Sequence, residues 1–444
     1  MTPPSTSRPI AAPSRVVGER VARSEDWVRE LHDLDSGIFF LNAWNGDSIL
    51  YKSPRGRWSI IDSNKRNGLI PALRFFKFLN IQLDIESVHL THLHADHYSG
   101  ISEILDALES RPDEIRIPFG LDVIRQVAES PRYKTKEGRL ELKKLLESLE
   151  VAKRRGTTLC QVESGLIQLP SGTTICCLLP TRQQLAGVTT SWYLSGVQAI
   201  GPPMSAGHHE LRQAENELSA VLALEVGGKL VLLTADTPAK NLDQAYPIVS
   251  DSSFWRISAH APEGRPFFKN SALRSPKRLR SALALKLPHH GSGFEPLLPN
   301  QIKSILQPKG ISVALCGRDE HPTALGLQAA VGRSRIIAIS NLPFQEKNRS
   351  AKADRERMAR ATGLLETDPL LARTFQETDN RTGLTIRSYR PNSFEPWRTP
   401  SEVSFAGIYK SRKRKNLRLM IRNFYLYTAE SGTISWNGSA SYSI

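Results

Sequence analysis

Hydrophobic residues along the chain fall into short runs of two kinds. From Ile38 the runs IFFLNAW, DSILYKS and RWSIID are aromatic and β-branched, broken by Gly, Asp and Pro, and predict strands joined by turns. LIPALRFFKFLN changes to helical spacing, and SVHLTHLH reads as a buried strand. SGISEILDALES and EGRLELKKLLESLEVAKRR are again helical, the second with acids early and bases late, as the helix dipole favours. Six further strands follow: TTICCLLP, SAVLALEV, KLVLLTAD, LALKLP, ISVALC and RIIAIS. Several are apolar at every position, so both faces of their sheet must be covered. The pattern predicts an α+β fold.

Composition sets the limits. A chain of 444 residues holds two or three domains, or one large domain with extensions. Residues 1–25 are rich in Pro, Ser and Arg and read as a disordered basic tail. Residues 26–345 carry the strand and helix pattern, and 346–444 read as a basic C-terminal extension or small domain. That last part contains QEKNRSAKADRERMARATG, read as an exposed basic helix, YKSRKRKNLRLMIRNFYLY, and an alternating ending, GTISWNGSASYSI. No run approaches the ~18 apolar residues of a membrane-spanning helix, and the N-terminus lacks the apolar core of a signal peptide. Membrane insertion is therefore not expected. The four cysteines form no Cys-x-x-Cys pair, which points to a reducing, cytoplasmic setting.

Charge adds a direction. The net charge is +15, and from Val331 onward 20 Lys and Arg stand against 10 Asp and Glu. Such an excess attracts polyanions (nucleic acid, phosphorylated molecules or an anionic membrane surface), or is a basic surface with no specific partner. Trp397, Tyr409, Phe424, Tyr425 and Tyr427 lie near these bases; such residues are more commonly core, with stacking on nucleotides as the alternative.

The chemistry is concentrated in Thr91–Gly100, THLHADHYSG. His92 and His94, two apart on an extended chain, point the same way and can grip one metal; the following turn brings Asp96 and His97 to a neighbouring position. Imidazole and carboxylate together suit zinc, manganese or iron better than calcium or magnesium.

His-x-His-x-Asp-His after an apolar strand resembles the metallo-β-lactamase fold superfamily of metal-dependent hydrolases. Further segments match in order the branch related to the ComEC-type DNA-uptake hydrolase domain: Gly46–Leu50, Ile60–Asp62, Leu232–Asp236, the His-His-Gly-Ser run at Leu287–Ser292, and Cys316–Thr323, CGRDEHPT. The resemblance implies an αββα sandwich over about residues 36 to 340 and two divalent ions, Zn²⁺ or Mn²⁺. The implied ligands are His92, His94, Asp96, His97, Asp236 and His289. His289 is preferred over His290 because the strand LALKLP runs directly into it, though the two could exchange roles. His290, Ser292 and Arg318 are then placed toward substrate, and Asp47 and Asp62 behind the ligands. Asp96 and Asp236 would orient a metal-activated hydroxide, with His321 or His290 as proton donor to the leaving group. The superfamily's histidine between the two halves has no clear counterpart; His208, His209 and Asn216 are the candidates.

The implied function is a metal-dependent hydrolase, a phosphodiesterase or nuclease acting on DNA or RNA. The alternatives are hydrolysis of a small molecule (a cyclic nucleotide, a phosphorylcholine ester or a lactone) and a non-catalytic partner subunit. Related domains are paired with protein partners in bacterial defence and mobile-element systems; the sequence itself shows no such partner.

Overall fold

A computed structural model describes residues 24–54, 57–65, 67–129, 136–187, 215–238, 240–242, 282–292, 298–317, 321–322, 324–340, 374–378, 385–389, 403–414, 416–431 and 433–444. The basic tail up to residue 23, the expected basic helix at 345–363, Trp397, His208, His209 and Arg318 lie outside the described residues.

Helices and one large mixed sheet make up the fold. The first half of the chain gives α1 (Ser24–His32), β1 (Leu34–Leu41), β2 (Ser48–Lys52), β3 (Trp58–Ser63), α2 (Pro71–Leu79) and β4 (Ile85–His89). It continues with α3 (Ala95–Tyr98), α4 (Ile101–Ala107), β5 (Glu114–Ile117), α5 (Leu121–Glu129), α6 (Lys136–Arg154) and β6 (Thr158–Gln161). Strand β1 pairs antiparallel with β2, and β2 with β3, while β3 through β6 run parallel in order. The second half gives β7 (Gly165–Gln168), β8 (Thr174–Leu179), β9 (Val221–Val226), β10 (Lys229–Leu233) and β11 (Ala282–Lys286). There follow α7 (Leu298–Ile305), β12 (Leu306–Ala314), α8 (Ala324–Val331) and β13 (Ser334–Ile339). Here β7 to β10 are antiparallel neighbours and β10 to β13 are parallel.

Alternation along the strands explains why they are apolar on both faces. In β1, Phe39 and Leu41 join one core with helices α1, α2, α4, α5 and α6, while Ile38 and Phe40 turn to another. In β13, Ile337 and Ile339 pack with α7 and α8, while Ile336 and Ala338 turn to that same second core. One apolar core is thus shared by the two halves of the sheet, and each half has a further core under its own helices. An apolar-throughout strand costs nothing in exposed surface when each face meets a different core.

The C-terminal residues belong to this sheet. Strand β16 (Phe405–Ser411) pairs antiparallel with β1, and β17 (Leu417–Thr428) pairs along Leu417–Arg422 with β16 and along Tyr425–Thr428 with β13. The long strand therefore serves both halves, with Asn423 at a left-handed φ of 56° at the change-over. Strand β18 (Thr433–Ser443) pairs with β17 and β15 (Thr385–Tyr389), and β15 with β14 (Thr374–Thr378). Hydrogen bonding thus crosses the expected boundary at residue 346.

The aromatics of this region are core. Tyr409, Phe424 and Tyr425 are fully buried and Tyr427 nearly so, which leaves no face for a nucleotide to stack on. Their apolar rings fill the cores on both sides of β16 and β17. Part of the basic run is also neutralised: Lys413 pairs with Asp33, and Arg414 and Arg418 with Glu30 on α1. No helix among the described residues is long and apolar enough to cross a membrane.

Candidate metal centre

The site lies where strands β3, β4, β10, β11 and β12 end, the edge from which loops of an α/β sheet present their chemistry. Strand β4 stops at His89, so His92 and His94 sit on a loop rather than on the strand expected from SVHLTHLH. That loop is held by Asp62. Its Oδ1 accepts from the Thr91 backbone N–H at 2.8 Å, and its Oδ2 accepts from the Thr91 hydroxyl at 2.6 Å and faces His97 Nδ1 at 2.7 Å. Asp62 itself has a left-handed φ of 55°, strain of the kind that collects at functional sites.

These contacts place a proton on Nδ1 of each ring. A carboxylate only accepts, so His97 donates from Nδ1. The Thr91 hydroxyl gives its hydrogen to Asp62 and must accept from His92 Nδ1, 3.1 Å away. His290 Nδ1 faces the Leu315 carbonyl at 3.2 Å, again an acceptor only. Each of the three rings therefore turns Nε2 inward, and none of these three buried nitrogens makes a hydrogen bond of its own. Asp236 stands between them: its Oδ1 lies 3.3 Å from His290 Nε2 and 3.4 Å from His97 Nε2, and its Oδ2 lies 3.8 Å from His92 Nε2. Asp96 Oδ2 is 3.6 Å from His290 Nε2.

Among the described residues, two sets offer donor atoms all within 4.8 Å of one another: Asp47, His97 and His290, and His92, His94 and Asp236. Buried His and Asp clusters of this kind could hold a metal ion, and engaged Nδ1 atoms behind inward Nε2 atoms are what metal-bound histidines require. Gly46 lets Asp47 come this close: its φ is +110°, and a Cβ there would fall 2.0 Å from the Asp96 carbonyl oxygen.

Charge in the pocket is strongly coupled. Burial works against the charged form of every group, yet Asp236, Asp62 and Asp47 outweigh it at His97 and hold that imidazole well above its ordinary value. His290 is likewise raised, to about 9, burial being overcome chiefly by Asp236. Burial opposes ionisation of Asp236 too, but His290 and His97 hold it well below the usual carboxylate range. Burial, then its neighbours His97 and His94, push His92 well down. Asp62 is raised by burial against the opposing charge of His97.

The His289–His290 pair reverses the expectation. Both residues have left-handed φ, 43° and 53°, and this double turn carries the chain one residue past the strand direction before a ring faces the carboxylates. His290, buried, is the one among the acids; His289 belongs to neither donor set, and its ring lies 5.3 Å from that of His321. Burial, then His289 and His290, bring His321 down to about 4. Ser292 is buried in the turn, its N–H donating to the His289 carbonyl. Asn216 lies in a helical turn before β9, its carbonyl accepting from Ser219 N–H.

Two groups at the site had no place in the sequence argument. Lys286, fully buried, puts Nζ 2.6 Å from Asp47 Oδ2, 3.8 Å from Asp236 Oδ1 and 2.8 Å from the Ala235 carbonyl. A lysine inside the apolar run LALKLP was the available signal, since an unpaired ammonium is not buried. Glu215, also fully buried, puts Oε2 2.8 Å from His94 Nε2. No protein-family model matches the chain, and no curated protein matches it.

Proposed function

We propose that the protein is a metal-dependent hydrolase of the metallo-β-lactamase fold superfamily, close to the ComEC-type branch, and that it cleaves phosphodiesters. The observation that carries this reading is the convergence of three imidazoles, each with Nδ1 engaged and Nε2 turned toward Asp236. One core shared by both halves of the sheet, with a helix-covered core on either side, supports the αββα sandwich.

His92, His94 and Asp236 would hold one ion, and His97, His290 and Asp96 the other, with Asp47 behind them on the Nδ1 side. Bound divalent ions supply Lewis acidity and a water acidified to near-neutral pH. The protein's own groups do the rest. Asp62 fixes the direction of His97, Asp236 reaches toward both donor sets, and His321 would give a proton to the leaving group. Among phosphodiesters, a nucleic acid fits the net charge of +15.

The test is hydrolysis of single-stranded DNA, double-stranded DNA, RNA and a cyclic dinucleotide by the purified chain with Mn²⁺ or Zn²⁺. Metal-dependent cleavage that disappears in His92→Ala and Asp236→Ala is expected. Metal-loaded protein inert toward all four substrates, or cleavage persisting in both variants, overturns the reading.

A further inference from the structure

Lys286 ends β11 with its side chain closed to solvent, and three oxygens stand around its ammonium. They are Asp47 Oδ2 at 2.6 Å, the Ala235 carbonyl at 2.8 Å and Asp236 Oδ1 at 3.8 Å. The backbone fixes that position. Lys286 pairs with Val313 on β12, and its carbonyl accepts from the Thr234 hydroxyl at 2.7 Å. Ala235, at a left-handed φ of 43°, offers one carbonyl both to Nζ and to the N–H of His289.

The ammonium bears on one donor set more than on the other. Asp236 Oδ1 is also the oxygen that faces Nε2 of His97 and of His290, at 3.4 and 3.3 Å. The other oxygen, Oδ2, faces His92. Asp47, the nearer partner of Lys286, lies behind the same two rings, 3.8 Å from His97 Nδ1 and 3.4 Å from His290 Nδ1. Stability alone does not call for a charge here. A buried ion pair exchanged for apolar side chains of similar volume is often neutral or stabilising, and Lys286 is the one polar residue from Ala282 to Leu287. What the ammonium supplies is a counter-charge for Asp47 and Asp236 that needs no metal, and that repels a divalent ion held by His97, His290 and Asp96.

We infer that Lys286 sets the affinity of this second ion, as a cation that competes with it for Asp236 Oδ1 and Asp47, and has little effect on the first ion, held by His92, His94 and Asp236. The inference rests on the metal-hydrolase reading. It adds a group that governs how many ions the centre holds at a given metal concentration.

Calorimetric titration of the chelator-stripped chain with Mn²⁺ and with Zn²⁺ tests it, using wild type, Lys286→Met, Lys286→Gln and Lys286→Met/Asp47→Asn. Lys286→Met is also made in His92→Ala, which removes a donor of the first ion, and in His97→Ala, which removes one of the second. A single charge several ångström from a double one shifts binding by more than about tenfold even at an effective dielectric of about 20. Lys286→Met is therefore expected to tighten one site by that factor and to leave the other within a few-fold. The gain persists in His92→Ala and vanishes in His97→Ala. The double variant, which loses one charge of each sign, returns to within a few-fold of wild type. Thermal melting of the metal-free proteins reports folding, and Lys286→Gln, which keeps a donor for the Ala235 carbonyl, replaces Lys286→Met if the latter does not fold. Unchanged or weaker metal binding in Lys286→Met and Lys286→Gln overturns the inference, as does an equal gain in the His97→Ala background. A wild type that binds neither metal overturns the hydrolase reading as a whole, an outcome distinct from both.

Discussion

Lys286 Nζ lies 2.6 Å from Asp47 Oδ2 with both side chains closed to solvent, so the candidate metal centre contains a fixed cation of its own. Removing one member of such a pair strands the other. Lys286→Met is expected to destabilise the metal-free protein by ~3–5 kcal/mol, the range for breaking a buried ion pair. Adding Asp47→Asn should return much of that loss. Urea unfolding of the single and double variants measures both effects.

Ligand binding to the folded state alone raises stability by mass action, ~2.7 kcal/mol at a hundredfold excess over Kd. Wild-type protein stripped with chelator is therefore expected to melt higher when Mn²⁺ or Zn²⁺ is restored. Asp236→Ala and His97→Ala remove donors from the two sets and should show a much smaller rise, measured by scanning calorimetry.

Gly317 lies against His290, and a Cβ there would come within 2.8 Å of the ring. Gly317→Ala must tilt that ring away from Leu315 and Asp236. Overpacking of this kind costs ~1–3 kcal/mol. The expected result is a modest fall in melting temperature with a larger loss of metal affinity, read by denaturation and by calorimetric titration.

His89, the last residue of β4, is buried beside Ser87, and burial, then the charge of Arg116, push it down to about 3. Its folded value lies below the ordinary 6.5 of the unfolded chain. The unfolded state thus takes up a proton first as the solution is acidified. Its contribution to stability is complete above about pH 6.5 and is lost as the pH falls toward 3. His89→Gln should flatten that part of the acid limb in a plot of unfolding free energy against pH, relative to wild type.

Truncation after residue 345 removes β16 from β1 and β17 from β13, and it strips Ile421 and Phe424 from the core they share with Ile38, Phe40, Ile336 and Ala338. The shortened chain is expected to lose its folded structure rather than merely a basic appendage. Circular dichroism and thermal melting of the truncated protein check this.

Much of the centre could be read from local order. THLHADHYSG, the aspartate closing KLVLLTAD and the histidines after LALKLP all occur at strand ends, and a strand's end fixes where its next residues emerge. What escaped was set at a distance. His290 faces the acids instead of His289 because two successive left-handed residues turn the chain, a conformation that nothing in Pro-His-His-Gly demands. Glu215 meets His94 only once the two halves of the sheet are assembled. Local sequence leaves the aromatics of β17 open between core and nucleotide surface, because it does not show that both faces of that strand are covered. The same strands, read for their apolar run alone, indicate burial on two sides.

The pairing of Leu34 with Ser411, and of the residues that follow them, has a consequence for synthesis. At ~5–20 residues per second, roughly 20–75 s separate the emergence of β1 from that of β16. During that time one edge of β1 is open, and it is an edge of aromatic and β-branched residues of the sort that pairs with other chains. A nascent chain of this protein keeps that edge open to pairing until Ser411 has been made.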